Sequence, residues 1–238
     1  MAASDNPKIF LSDEEIQDDD EPTNREEGQQ LDVISLDPDA TDVDLNHSRI
    51  SKIEHMDVLE KVETLCFRQN LLTKIENLSC LKDTITDLDL YDNQITKIEN
   101  LEALTKLTIL DLSFNRIRNI ENLETLTGLT RLFLVQNRIR KIENIGHLVN
   151  LTMLELGSNQ IRKLENLDSL VNLDSLFIGR NKITQLENLG KLKKLTTLSI
   201  QSNRIIKLEG LEELENLEQL YISDNGIQKL ENLDKNVS

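Results

Sequence analysis

Asp111, Phe133, Glu155 and Phe177 follow one another at steps of 22 residues, acid alternating with aromatic. The same step reaches Asp44, Cys66 and Asp89 towards the N-terminus, with one extra residue before Asp89, and Ser199 and Tyr221 towards the C-terminus. Carboxylates can pair with a partner's bases and fix its orientation. Aromatics set among polar groups are the usual anchors of protein interfaces. Nothing in the set forms a nucleophile or a proton relay. His47, His55 and His147 fall at three different places in the 22-residue frame, so they define no metal-ligand spacing. Cys66 has no neighbour in sequence that would activate its thiolate. The eight glycines are scattered and build no phosphate loop, and no basic groove is interleaved with aromatics. The chemistry on offer is recognition by a surface. We expect no catalysis, no cofactor, no metal and no small-molecule substrate.

The spacing requires elements that repeat with the same period. LTILDLSFNRIRNIENLETLTG (Leu107–Gly128) overlays LTRLFLVQNRIRKIENIGHLVN from Leu129 and LTMLELGSNQIRKLENLDSLVN from Leu151. Nine such registers begin at Ala40, Val62, Ile85, Leu107, Leu129, Leu151, Leu173, Leu195 and Leu217. Fixed-period self-similarity of this length marks a solenoid. Positions 4 and 6 are aliphatic or Phe in every register, which predicts a short strand, near 43–45 in the first and near 110–112 in the fourth. Position 5 then points to the opposite side and forms an open column. Apolar residues at positions 11, 14, 17 and 20 fit short helical or 3₁₀ turns. Turns are wider than strands, so the stack should curve with its parallel sheet on the concave face. The reading is an α/β-class horseshoe, a right-handed leucine-rich solenoid of nine coils over residues 40–238. One coil cannot cover its own apolar faces; stability must come from its neighbours.

Position 9 is Asn in eight registers, from Asn70 to Asn225. A buried amide there can serve backbone groups that lose their partners where strand becomes loop, so its expected role is structural. Position 15 is Glu in all nine registers and position 13 is Lys in seven. These columns read as a solvated face whose alternating charge limits repulsion between coils.

The 238 residues carry a net charge of −16, no Trp and only 3% aromatics. Stacked aliphatic layers need few aromatics. Residues 1–39 hold 13 acids against two bases, a charge of −11 that leaves −5 for the repeats. Net acidity argues against nucleic acid or an anionic membrane as the main partner. Residues 1–30 are too poor in apolar side chains to fold and are expected to form a disordered acidic tail. Residues 31–39, with Leu31, Val33, Ile34 and Leu36, are expected to cover the first coil. Two cysteines define no disulfide framework, and an acidic N-terminus without an apolar run is not a signal peptide. The expectation is a reducing, intracellular setting.

The segments DVDLNHSRISKIE, LYDNQITKIENLEALTKL, LFLVQN and MLELGSN resemble the leucine-rich-repeat regulatory subunits of protein phosphatase 1, over residues 40–233. The resemblance implies a non-catalytic protein of nucleus and cytoplasm. It also implies that the concave face binds the catalytic subunit of protein phosphatase 1 and controls its activity or maturation. The family's concave acids and aromatics match Asp111, Phe133, Glu155 and Phe177, with Asp89 and Tyr221 extending the column. No R/K-V-x-F docking peptide offers another route. The family runs on through further repeats to a cap, so the last coil, with Leu217, Leu220, Leu230 and Leu233, is expected to lie uncovered, and either to fray or to drive self-association. A second reading is a scaffold resembling the leucine-rich proteins of spliceosomal or axonemal complexes.

Overall fold

The computed structural model describes residues 8–10 and 33–232, with side chains placed from Ile34 onward. Nine three-residue strands form one parallel sheet. They are β3 (Asp42–Asp44), β4 (Thr64–Cys66), β5 (Asp87–Asp89), β6 (Ile109–Asp111), β7 (Arg131–Phe133), β8 (Met153–Glu155), β9 (Ser175–Phe177), β10 (Thr197–Ser199) and β11 (Gln219–Tyr221). Each pairs only with its neighbours in sequence, in the order β11 to β3. This is the nine-coil solenoid that the repeat predicts.

The strands sit one residue earlier than the alternation suggests, at positions 3–5 and not 4–6. Position 4 lies at the strand centre and is buried in every coil up to the eighth, from Val43 to Leu198. Position 6 is equally buried and follows the last paired residue; its N–H supplies the closing rung to the next strand, as Leu112 N donates to the Phe133 carbonyl at 2.9 Å and Leu156 N to Phe177 at 2.7 Å. Buried side chains therefore mark the phase of the pleat and not the limits of the paired residues.

Behind the sheet one continuous aliphatic core runs from Leu36 to Leu217. The second half of each coil is turn, closed by bonds such as Leu129 N to the Leu126 carbonyl at 3.0 Å. Among the described residues two 3₁₀ turns occur, Met56–Val58 and Ser79–Leu81. The extra residue of the second register is absorbed after the latter, where Ile85 N reaches back four residues to the Leu81 carbonyl at 3.0 Å. The sheet does not register the insertion: Thr64 still pairs with Asp87 and Cys66 with Asp89.

Asparagine at position 9 behaves as its chemistry requires. Asn137 Oδ1 accepts from Ile117 N at 3.0 Å, while its Nδ2 donates to the Leu112 carbonyl at 2.9 Å. The same bridges recur from Asn70 to Asn225. A second asparagine ladder was not anticipated. Position 16 takes a left-handed backbone in every coil, and Asn fills it in seven. Its amide donates to the position-14 carbonyl of the preceding coil, as Asn122 does to Ile98 at 2.6 Å and Asn188 to Leu164 at 2.7 Å. Asn tolerates that backbone region better than most residues.

At the N-terminal end, β2 (Val33–Ser35) pairs antiparallel with β1 (Lys8–Phe10). This corrects the expectation that all of residues 1–30 lack structure. Ile9, Phe10 and Leu11 are three consecutive large apolar residues in an otherwise polar segment, and the composition average hid them. The rest of that segment lies outside the described residues. Leu36 is buried against the core and Ile34 half-buried on it. At the other end, Leu220 and Ile222 are half-buried and Leu230 is 75% exposed; Leu233 lies outside the described residues.

Candidate binding face

The column anticipated from the sequence is assembled by the sheet. Pairing sets Asp89 beside Asp111, Asp111 beside Phe133, Phe133 beside Glu155 and Glu155 beside Phe177. Ser199 and then Tyr221 continue it. Neighbouring strands are about 4.8 Å apart, so Asp111 to Phe177 spans about 14 Å. Position 5 faces away from the core because positions 4 and 6 face into it.

Exposure along the column is uneven. Phe133 and Phe177 are half-buried among their neighbours, whereas Tyr221 is 52% exposed and donates its hydroxyl to Gln219 Oε1 at 3.0 Å. Asp111 is half-buried, and burial raises its carboxyl above the ordinary aspartate range. Hydrogen bonds from Ser113, whose N–H donates to Asp111 Oδ1 at 2.8 Å, counteract part of that shift. Glu155 is raised too, first by burial and then by repulsion from Asp111. A cation brought near these two carboxylates would favour their charged forms and oppose the shift.

Beside the column lies a cluster that the sequence only partly foretold. Arg68 Nη1 bonds Asp89 Oδ2 at 3.0 Å, and its guanidinium lies 4.1 Å from the centre of the Tyr91 ring. Tyr91 in turn meets Phe114 with ring centres 4.7 Å apart. Phe114 is 39% exposed at a φ of 55°, a conformation that bulky side chains rarely adopt. Tyr91 and Phe114 stand at positions 7 and 8, just past the strand ends. Arg68 was missed, although it is the position-7 neighbour of Tyr91 in the preceding coil. Position 8 is left-handed in all nine coils, so Asp92 and Arg180 lie on the same edge.

Cys66 carries no nucleophilic promise: burial first, then the nearby Asp89 and Asp44, push its thiol up to about 11. No group of three or more metal-ligating side chains gathers among the described residues. Among those same residues, no helix is long and apolar enough to cross a membrane. Lys141 and Glu143, on the opposite side, pair within their own coil at 3.6 Å, as do Lys207 with Glu209 and Lys229 with Glu231. These three pairs of the Lys and Glu columns each close within one coil.

Parallel three-residue strands, aliphatic layers and an asparagine at eight of the nine strand exits define a protein of the leucine-rich-repeat class. The chain belongs to that family: the family model described as leucine rich repeats (2 copies) matches residues 83–125, 127–169, 149–191, 171–213 and 193–235. Within it, the chain is similar to protein phosphatase 1 regulatory subunit 7. It is 61% identical to that protein of Xenopus tropicalis over 60 residues, covering 25% of this chain and 17% of the relative. The human protein is 62% identical over 52 residues, 22% of this chain and 14% of the relative. The Bos taurus protein is 60% identical over 66 residues, 26% and 18% respectively. The matched stretches thus span less than a fifth of these relatives' length. Among solved structures, an internalin C2 from Listeria monocytogenes superposes with a TM-score of 0.69 at 36% identity, covering 73% of this chain and 76% of that one. The leucine-rich-repeat protein LIC12759 of Leptospira interrogans gives a TM-score of 0.55 at 25% identity, over 72% of this chain and 57% of that one.

Proposed function

We propose that the chain is a non-catalytic regulatory subunit that binds the catalytic subunit of protein phosphatase 1 through its concave face. In this reading it controls the enzyme's activity or maturation, in nucleus and cytoplasm. The observation that carries the reading is the register of Asp111, Phe133, Glu155 and Phe177 on four adjacent strands. The partner follows from the name of the relatives, protein phosphatase 1 regulatory subunit 7. Phe133 and Phe177 supply the apolar anchors and Asp111 and Glu155 pair with the partner's bases. Asp89 and Tyr221 extend the contact to the column's ends.

The test is binding of purified phosphatase catalytic subunit to the chain and to a Phe133→Ala/Phe177→Ala variant. Loss of two anchors is expected to weaken binding at least about 30-fold, equivalent to about 2 kcal/mol. A Lys141→Ala/Glu143→Ala variant on the opposite side should bind as the unmodified chain does. A folded double Phe variant with undiminished affinity refutes the concave mechanism.

A further inference from the structure

The cations of this acidic chain are unevenly used. Lys61 pairs with Asp39 at 2.7 Å, Arg68 with Asp89 and Lys193 with Glu213 at 2.7 Å. Five arginines on the middle coils make no such pair: Arg116, Arg118, Arg138, Arg140 and Arg162. All five are exposed, and among the described residues none takes part in a salt bridge or a side-chain hydrogen bond. They occupy positions 10 and 12, flanking the buried Ile117, Ile139 and Ile161 at position 11, which turns both neighbours to solvent. The segments that bear them are hydrogen-bonded coil to coil. Arg116 N donates to the Ile95 carbonyl, Arg138 N to Ile117 and Gln160 N to Ile139, each at 2.8 Å. Their backbones therefore stack at roughly the strand spacing, about 4.8 Å. Lys182 and Arg204 continue the position-10 row, with the same bond to the preceding coil. Arg49 stands at position 10 of the first coil, but the second and third coils place Leu71, Thr73, Gln94 and Thr96 at these positions, so the unbroken run of charge belongs to the middle of the stack.

We propose that this arginine face is a docking site for a short acidic peptide segment of a protein partner, lying extended across the fourth to eighth coils. Planar guanidinium forks match carboxylates in two-bond geometry, and here no internal acid has claimed them. Four coil intervals span about 19 Å, the length of about six extended residues. The face is small and set in a chain of net charge −16. A longer polyanion such as nucleic acid would run past it onto Gln94 and Thr96 of the third coil at one end and Gly226 and Gln228 of the ninth at the other, where no cation at these positions meets it. A peptide of matching length would not. The proposal is independent of the phosphatase reading, because the arginines lie beyond the strand ends and outside the position-5 column.

The experiment uses the full chain and a labelled Asp/Glu-rich peptide of about ten residues, followed by fluorescence anisotropy. Binding is expected, and should weaken several-fold between about 50 and about 200 mM salt. An Arg138→Ser/Arg140→Ser/Arg162→Ser variant should bind at least about tenfold more weakly, with its unfolding transition unchanged. The Phe133→Ala/Phe177→Ala variant should bind the peptide as the unmodified chain does, which separates failure here from failure of the phosphatase reading. Undiminished binding by the triple variant would overturn the proposal. So would tighter binding of an oligonucleotide of equal charge. Binding that appears only after the acids of residues 13–21 are replaced by neutral side chains would assign the face to the chain's own N-terminal segment, and would overturn it too.

Discussion

Arg68 holds Asp89 at 3.0 Å through its edge and covers the Tyr91 ring at 4.1 Å with its face. One planar cation thus ties the column to the aromatic pair beside it, across two coils. Replacing Arg68 by Met keeps the apolar stem and removes both interactions. The side chains are partly solvated, so the expected loss of stability is only about 0.5–1.5 kcal/mol. Urea unfolding of the single and double variants with Tyr91→Leu would separate the stacking contribution from the ion pair. A coupling of zero between positions 68 and 91 would show that the stack has no energetic content.

The carboxylates of the column predict a pH dependence with a defined sign. Asp111 and Glu155 hold their protons more tightly when folded than when unfolded. Between the ordinary pKa and the raised one, the folded state carries more protons, so stability falls as pH rises through that window. The cost is absent below the ordinary range and complete at neutrality. Asp111→Asn/Glu155→Gln should therefore be more stable than the unmodified chain at pH 7 and lose that advantage in acid. Affinity for the phosphatase should move the opposite way, rising with pH over the same window, because a cationic partner needs both groups ionised. Thermal melts and binding measured across pH 3 to 7 check both signs.

The two asparagine ladders should differ in cost. Asn137→Ala leaves the buried Ile117 N–H without a partner and removes one of the two donors to the Leu112 carbonyl, the other being Asn115 Nδ2 at 3.1 Å, so a loss of about 2–3 kcal/mol is expected. Asn144→Ala removes one half-exposed bond, to the Ile120 carbonyl at 2.8 Å, in a residue that also holds a left-handed backbone. About 1–2 kcal/mol is expected there. Equilibrium unfolding of both variants would rank them.

Gly210 takes the place of that second asparagine in the eighth coil, at a φ of 75°. A Cβ there would lie 2.4 Å from the Leu186 carbonyl oxygen. Gly210→Ala should then destabilise by about 1–3 kcal/mol, with faster amide exchange confined to the seventh to ninth coils, since each coil contacts only its neighbours. Uniformly faster exchange along the stack would contradict that confinement.

Most of the scaffold was legible because its signals are periodic. A position that must be aliphatic nine times over declares itself, and Asn70 to Asn225 could be assigned a backbone role from chemistry alone. The strand limits were not legible, because Leu112 and Leu156 are buried like the strand centres although they lie one residue past the last paired position. The second ladder was equally visible as a recurrent Glu-Asn-Leu triplet. Its amides were overlooked because a left-handed backbone leaves no trace in hydropathy. At the candidate site, the column followed from arithmetic on the 22-residue period. The Arg68–Tyr91–Phe114 cluster did not, because it joins different positions on three coils and depends on side-chain direction. The short apolar run at Ile9–Leu11 was lost for the reverse reason: it occurs once.

The insertion in the second coil is taken up wholly behind the sheet, between Leu81 and Ile85, while Cys66 and Asp89 remain paired. The address of a residue on the concave face is therefore its strand and its place within that strand, not its distance along the chain. Lengthening a turn leaves every address intact. Duplicating or deleting a whole coil shifts all later addresses by one strand and still keeps each side chain facing outward. A lineage can thus lengthen, shorten or recombine such a chain in whole coils and carry a working patch with it as a block. Adding one residue within a strand would instead turn the remainder of that strand inside out.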